Sequence, residues 1–245
     1  MRIRKRFLSI GILLWLCGAI SAQQIVEWGD LLTETNDARC TIHYKRNGCE
    51  LLNGTFRIKR GLDEECIKFS HGLMDGEYRR YRDGVLREFG EYDKGQRNGV
   101  FREYYQDGMT VRKETPMLQG KINGTVKTYF RDGKIESEKE YRQSVENGRT
   151  RRFNNKTGAV ISEVHYVNGQ KEGKEFSIED SGHDNCSKIV RHYSNGKLNG
   201  PYHLESTMGG KAYITIDGQY VDGRKSGHWK QYNATDGNTI EWDEK

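Results

Sequence analysis

The 245-residue chain has little of what an ordinary protein core is built from. Only 34% of it is hydrophobic, 31% is charged, and mean hydropathy is −0.91. A globular chain is usually closer to half apolar, so packing must come from something other than aliphatic bulk. Proline is nearly missing, with 2 residues, whereas 14 Tyr, 8 Phe and 4 Trp stand beside 29 Gly. Disordered chains are aromatic-poor and often proline-rich, so this composition argues against disorder. What remains is a β-rich, turn-rich architecture held by aromatic rings. An excess of one charge is missing too. Of the formal +5, Arg2, Arg4, Lys5 and Arg6 supply four within the first 22 residues. The rest is near neutral and gives no electrostatic footprint for nucleic acid.

Long hydrophobic runs are also scarce. The apolar stretch Phe7 to Leu16 follows the basic start and precedes the small-residue end Gly18-Ala19-Ile20-Ser21-Ala22. That is the three-part pattern of a secretory signal peptide, with cleavage expected after Ala22. A membrane anchor would need roughly 20 apolar residues. Cys17 as a lipid-attachment site would follow Leu16, which is bulkier than the small residue such sites carry. The chain is therefore expected to be exported, to the periplasm, the outer surface or the medium. Cys40, Cys49, Cys66 and Cys186 remain after cleavage, an even number that permits disulfides in an exported protein. The expectation is one disulfide among the first three, with Cys186 unpaired because it lies far along an elongated chain.

A repeat sets the architecture. Gly54, Gly76, Gly99, Gly124, Gly148, Gly173, Gly200 and Gly227 recur every 22 to 27 residues. Two places after the glycine stands an aromatic or another strand former: Phe56, Tyr78, Phe101, Val126, Tyr202, Trp229. Five places after it often stands a second ring: Tyr81, Tyr104, Tyr129, Phe153, Tyr232. Turn signals close each half-unit, at Gly84, Gly108, Gly133, Gly158 and Gly237 within units and at Gly169, Gly196 and Gly223 between them. Asp-Gly and Asn-Gly supply the positive φ angles of tight hairpin turns. About nine residues of strand and turn on each side fit two strands of usual length. A lone hairpin is marginal in water, so the units must stack.

The expected fold is all-β, an elongated single antiparallel sheet of stacked hairpins. Residues 1–22 are the signal peptide, 23–52 an N-terminal cap with a degenerate repeat, and 53–245 an array of about eight hairpins. Offsets two and five differ by an odd number, so in a regular strand their rings face opposite sides. Either a bulge realigns them or each face carries its own stripe.

The layout resembles the MORN-repeat family in its shorter bacterial variant. The match is clearest at Gly76-Glu77-Tyr78-Arg79-Arg80-Tyr81-Arg82-Asp83-Gly84, at Gly124 through Tyr129 to Gly133, and at Gly227-His228-Trp229-Lys230-Gln231-Tyr232. The third unit departs from the pattern, with Thr115-Pro116-Met117 where a closing tyrosine belongs. The resemblance implies the hairpin fold and says little of function.

Signals for chemistry are sparse. The seven histidines are scattered over the repeats, and His183-Asp184-Asn185-Cys186 is the one compact cluster of ligand types, without a second ligand pair. Nucleophile-elbow and phosphate-loop motifs do not occur. No catalytic residue, metal or cofactor is expected. Arg79, Arg80 and Arg82, then Arg149, Arg151 and Arg152, form basic clusters. The resemblance suggests a lipid head group for them; pairing with the abundant Glu and Asp, worth about 0.2–1 kcal/mol per pair, is the alternative that near-neutral charge favours.

The leading expectation is a non-enzymatic, exported repeat protein that offers a sheet face to a protein or envelope-surface partner. Candidate contacts are the aromatic stripe Tyr78, Tyr81, Phe101, Tyr104, Tyr129, Phe153, Tyr202, Trp229 and Tyr232, most of which double as core. Two other classes stand beside it. Bacterial proteins with such repeats are often antitoxin-like components of toxin-antitoxin pairs, and a surface carbohydrate-active enzyme would pair two carboxylates about 5 to 10 Å apart.

Overall fold

The computed structural model describes residues 24–182 and 185–244. The expected signal peptide, Cys17, His183, Asp184 and Lys245 lie outside the described residues. The described chain is all-β, with a single 3-10 turn at Trp28–Asp30 and no α-helix among those residues.

The first strands are β1 (Gln24–Glu27), β2 (Leu31–Thr35), β3 (Thr41–Lys45) and β4 (Glu50–Leu51). The hairpin array begins with β5 (Gly54–Arg60), β6 (Asp63–Ser70), β7 (Leu73–Arg82), β8 (Val85–Asp93) and β9 (Gln96–Tyr104). It continues through β10 (Val111–Leu118), β11 (Lys121–Ile122), β12 (Gly124–Tyr129), β13 (Ile135–Arg142), β14 (Val145–Phe153) and β15 (Val160–Val167). It ends with β16 (Gln170–Gly182), β17 (Asn185–Ser194), β18 (Lys197–Leu198), β19 (Gly200–Met208), β20 (Lys211–Val221), β21 (Arg224–Asn233) and β22 (Thr239–Glu244).

From β5 onward each strand pairs antiparallel with the next in chain order; the two-residue strands β11 and β18 lie beside β10 and β17, which pair directly with β12 and β19. The 19-stranded sheet is not closed into a barrel. One expectation needs correction: the sheet is mixed. Strand β1 lies parallel to β5, with Ile25 opposite Arg57 and Val26 opposite Ile58. A parallel neighbour needs no tight turn and so leaves no local signal.

Two devices build each unit. The turns between units are all tight, with both central residues at positive φ: Asn168-Gly169, Asn195-Gly196 and Asp222-Gly223, but also Lys94-Gly95, Gln119-Gly120 and Gln143-Ser144. That is the type I′ geometry matching the natural twist of paired strands. Turns within units are mostly wider. At Asp107-Gly108 only the glycine has positive φ, and the Asp107 carboxylate accepts the N–H groups of Met109 (2.9 Å) and Thr110 (2.8 Å). Those bonds, the Met109 N–H first, hold its pKa down to about 2. The second device is the glycine that heads each unit. Around Gly76 (φ 112°), Ile67 pairs with Tyr78 while Phe69 pairs with Met74, so three residues of β7 face one of β6. Comparable shifts surround Gly148 and Gly227. Glycine recurs because the strand bulges there, in a backbone region other residues avoid.

Residues 31–51 form a separate three-stranded sheet, β2-β3-β4. It docks on the His71-Gly72 turn: the His43 N–H donates to the Gly72 carbonyl (2.8 Å), and the Gly72 N–H to the Leu52 carbonyl (2.9 Å). A Cβ on Gly72 would lie 2.7 Å from both Ile42 and Leu51. Leu31 and Leu52 thereby enter the main core with Phe56, Ile58, Ile67, Phe69, Tyr78 and Phe101. Each such large side chain, taken from water, contributes about 1.5–3 kcal/mol. His43 is 2% exposed with its ring 5.0 Å from Phe69, and burial depresses its pKa.

The expected disulfide among Cys40, Cys49 and Cys66 is not formed, and all four described cysteines are free. They stand on separate elements. Cys40 is buried where its Sγ lies 3.9 Å from Gln96 Nε2, Cys49 is exposed in the β3–β4 turn, and Cys66 lies mid-strand between Arg57 and Arg79.

Candidate functional site

Side chains alternate between the two faces of a strand, and the register joins those of one parity into rows crossing the sheet. One inner row begins Phe56, Ile67, Tyr78, Gly90. It passes through Phe101 and Thr115, then Val126, Lys139, Thr150 and Val164. Glu175 with Arg191, Tyr202 with Gly218, and Trp229 with Trp242 complete it. Several of these positions are buried: Phe56 and Trp229 are 1% exposed and Phe101 2%.

The outer row is unbroken. It runs Ile25, Arg57, Cys66, Arg79, Phe89, Arg102, Glu114, Lys127, Glu138, Arg151 and Glu163. It goes on through Phe176, Val190, His203, Asp217, Lys230 and Glu241. Every strand of the large sheet except the two-residue β11 and β18 gives one residue, and none of these residues is buried. Opposite charges alternate along its middle: Arg102–Glu114 2.9 Å, Lys127–Glu138 3.8 Å, Glu138–Arg151 2.7 Å. At the far end His203–Asp217 (2.7 Å) and Lys230–Glu241 (3.4 Å) continue it.

The two rows answer the parity question raised by the sequence. Rings at offset two, Tyr78, Phe101 and Trp229, are buried on the inner face, with Tyr202 half-buried beside them. Rings at offset five belong to the outer face. The Tyr129 hydroxyl donates to Glu114 of the outer row (2.7 Å), Arg151 of that row lies over Phe153 (5.9 Å), and Tyr81 shares the strand parity of Arg79. Tyr104 is half-buried and Tyr232 is 41% exposed. The nine-residue stripe expected from sequence is thus two stripes. All eight expected turn glycines have positive φ.

Sequence reasoning missed the reason the inner rings pack. Tyr78, Tyr92 and Phe101 form a triad with centroid separations of 5.5, 6.4 and 5.6 Å. Tyr202, Tyr220 and Trp229 form a second, at 5.7, 5.5 and 5.4 Å with matching tilts. Each central ring sits under a cation, Arg97 at 4.5 Å and Lys225 at 4.6 Å. Each sits on a glycine: a Cβ on Gly90 would meet the Phe101 ring at 2.5 Å, and one on Gly218 the Trp229 ring at 2.2 Å. The signal was present as Gly-x-Tyr, at Gly90-Glu91-Tyr92 and Gly218-Gln219-Tyr220. Where Lys139 or Val164 replaces that glycine, the ring gives way to Thr150 or Glu175. Buried Glu175 is then held by Lys171 (2.6 Å) and Arg191 (3.5 Å). Burial raises its pKa, but Lys171, Tyr193 and Arg191 outweigh that and leave the carboxyl below its ordinary value.

Of the His183-Asp184-Asn185-Cys186 cluster, the described members serve the hairpins: Asn185 accepts the Gly209 N–H (3.0 Å), and the Cys186 N–H donates to Thr207 (3.1 Å). No group of three or more His, Cys, Asp or Glu suited to a metal ion occurs among the described residues. Protein-family models and curated proteins give no match to the chain.

Proposed function

We propose that the chain is an exported, non-enzymatic scaffold of MORN-like hairpin repeats that offers the outer face of its sheet to a protein partner at the cell envelope. The reading is supported by the outer row, a solvent-accessible line of side chains that crosses the open sheet without interruption. Alternating charge on such a line specifies register and discriminates among partners more than it adds raw affinity. Extended surfaces of stacked repeats suit this use. The rings of the outer face, Tyr81, Tyr104, Tyr129, Phe153 and Tyr232, are contact types enriched at interfaces.

The test is cross-linking of the mature chain, beginning at Gln23, in intact envelopes, followed by recovery of the linked partner. A variant carrying Glu114→Lys, Glu138→Lys and Glu163→Lys should lose that partner while keeping the wild-type circular dichroism. Retention of the partner by this variant, or a chain found only in the cytosol with residues 1–22 intact, would overturn the reading.

A further inference from the structure

An arginine-lined cleft of about 360 Å³ opens where the ends of β7, β8, β9 and β10 meet. Four guanidinium groups line it, from Arg80, Arg82, Arg87 and Arg112, against the single carboxylate of Glu103. The lining residues carry +3, or +2 once Glu88 beside Arg80 is counted, in a body that is nearly neutral overall.

The backbone gathers these groups. Arg80 and Arg82 alternate along β7 onto one face. Arg87 and Arg112 arrive by a different route, because each is the extra residue of a one-residue bulge. Arg80 pairs with Glu88 and Tyr81 with Leu86, which leaves Arg87 over; Glu103 pairs with Lys113 and Tyr104 with Val111, which leaves Arg112 over. Bulges re-aim side chains in this way. The same bulge in later units carries Glu136, Ile161 and Tyr213, so the cluster belongs to these two units alone.

Pairing within the protein does not use up the charge. Arg80 has Glu88 at 3.3 Å and Arg112 is paired with Glu103. Arg82 and Arg87 have no carboxylate partner among the described residues. One arm of Arg87 donates to the Tyr105 carbonyl (3.3 Å), which fixes the side chain and leaves its other N–H groups available.

We propose that this cleft binds a compact, multiply charged oxyanion of the pyrophosphate or sulfate-ester type. Guanidinium forks match such oxygens bidentately, with shorter and stronger bonds than neutral donors give. Gln106 adds a polar side chain to the wall. Asp83 and Asp107 occupy the two turns that close these hairpins, so an extended anionic surface would meet carboxylates there whereas a small ligand meets guanidinium groups.

The experiment is calorimetric titration of the mature protein with inorganic pyrophosphate, sulfate and citrate at low and physiological salt. One saturable site is expected, tightest for pyrophosphate and weakened by salt. Arg87→Ala with Arg112→Ala should weaken it at least tenfold. Arg87→Lys with Arg112→Lys should weaken it severalfold, because charge is kept and the fork lost. Exposed Arg82→Ala guards against misfolding of the double variants and should also weaken binding. Arg149→Ala with Arg152→Ala, in the other basic cluster, should leave it unchanged. No saturable binding of any oxyanion would overturn the proposal. So would equal loss in the Arg149/Arg152 variant, or binding of anionic phospholipid vesicles by a protein that ignores pyrophosphate.

Discussion

The unit around Phe101 and the unit around Glu175 occupy the same register positions and hold together by different means. At Phe101 a large ring lies against a glycine, flanked by Tyr78 and Tyr92 and topped by Arg97. At Glu175 a carboxylate lies near Val164 and is held by Lys171, which occupies the place of Arg97, and by Arg191. The comparison teaches that the repeat conserves geometry, while the chemistry that fills it can change if two neighbouring positions change together. The Phe101 ring leaves no room for a side chain at Gly90, whereas the Glu175 ion pairs stand beside Val164. The covering three-stranded sheet sharpens the contrast, since Leu31 and Leu52 close the core on the Phe101 side only.

Mutations can break that comparison, beginning where the effect is largest. Phe101→Ala should cost about 3–5 kcal/mol, against about 0.5 kcal/mol or less for Thr150→Ala in the equivalent place. Urea unfolding gives the totals, and hydrogen exchange assigns each loss to its unit, since stacked repeats need not unfold as one. Gly90→Val should cost about 1–3 kcal/mol by driving a side chain into the Phe101 ring. Gly84→Val has open space around it but a φ of 72°, and should cost about 1–2 kcal/mol through backbone strain alone. Glu175→Gln should cost about 1–2 kcal/mol, because Lys171 and Arg191 keep their charge and lose their partner. Equal losses at Phe101 and Thr150 would show the two units to be packed alike.

His43 adds a pH test of the covered end. Its folded pKa lies below its ordinary value of 6.5, so the unfolded chain binds the proton first. Its contribution is complete above pH 6.5 and is lost as pH falls toward the folded pKa, by at most about 1.4 kcal/mol per pH unit. Exchange protection of the Leu31 and Leu52 amides should fall between pH 7 and 5.5 more than protection around Val164. The smallest effect belongs to the outer row: Lys127→Ala should change stability by about 0.2–1 kcal/mol.

The hairpins were legible in sequence because turn chemistry is local. Glycine and asparagine at fixed offsets announce positive φ, and the period follows. Turns such as Gln143-Ser144 took the same shape without announcing it, since flanking strands can impose a turn their residues do not favour. The β1–β5 pair was illegible because parallel pairing joins segments with no turn between them. The burial of Tyr78 and the exposure of Tyr232 could not be read from two rings at an odd spacing without knowing which face is covered. Arg87 and Arg112 were invisible as a pair, because a bulge residue obeys neither strand parity nor the repeat.

The unbroken outer row also fixes a length scale. Neighbouring strands stand about 4.8 Å apart, so some sixteen steps measure about 75 Å along the sheet. At the ordinary twist of about 20–25° per step, the same row revolves through about 320–400° from end to end. A straight, stiff ligand would touch only a fraction of such a spiral. A flexible polymer wound around the ribbon could follow all of it, reading off charge like marks on a helical gauge.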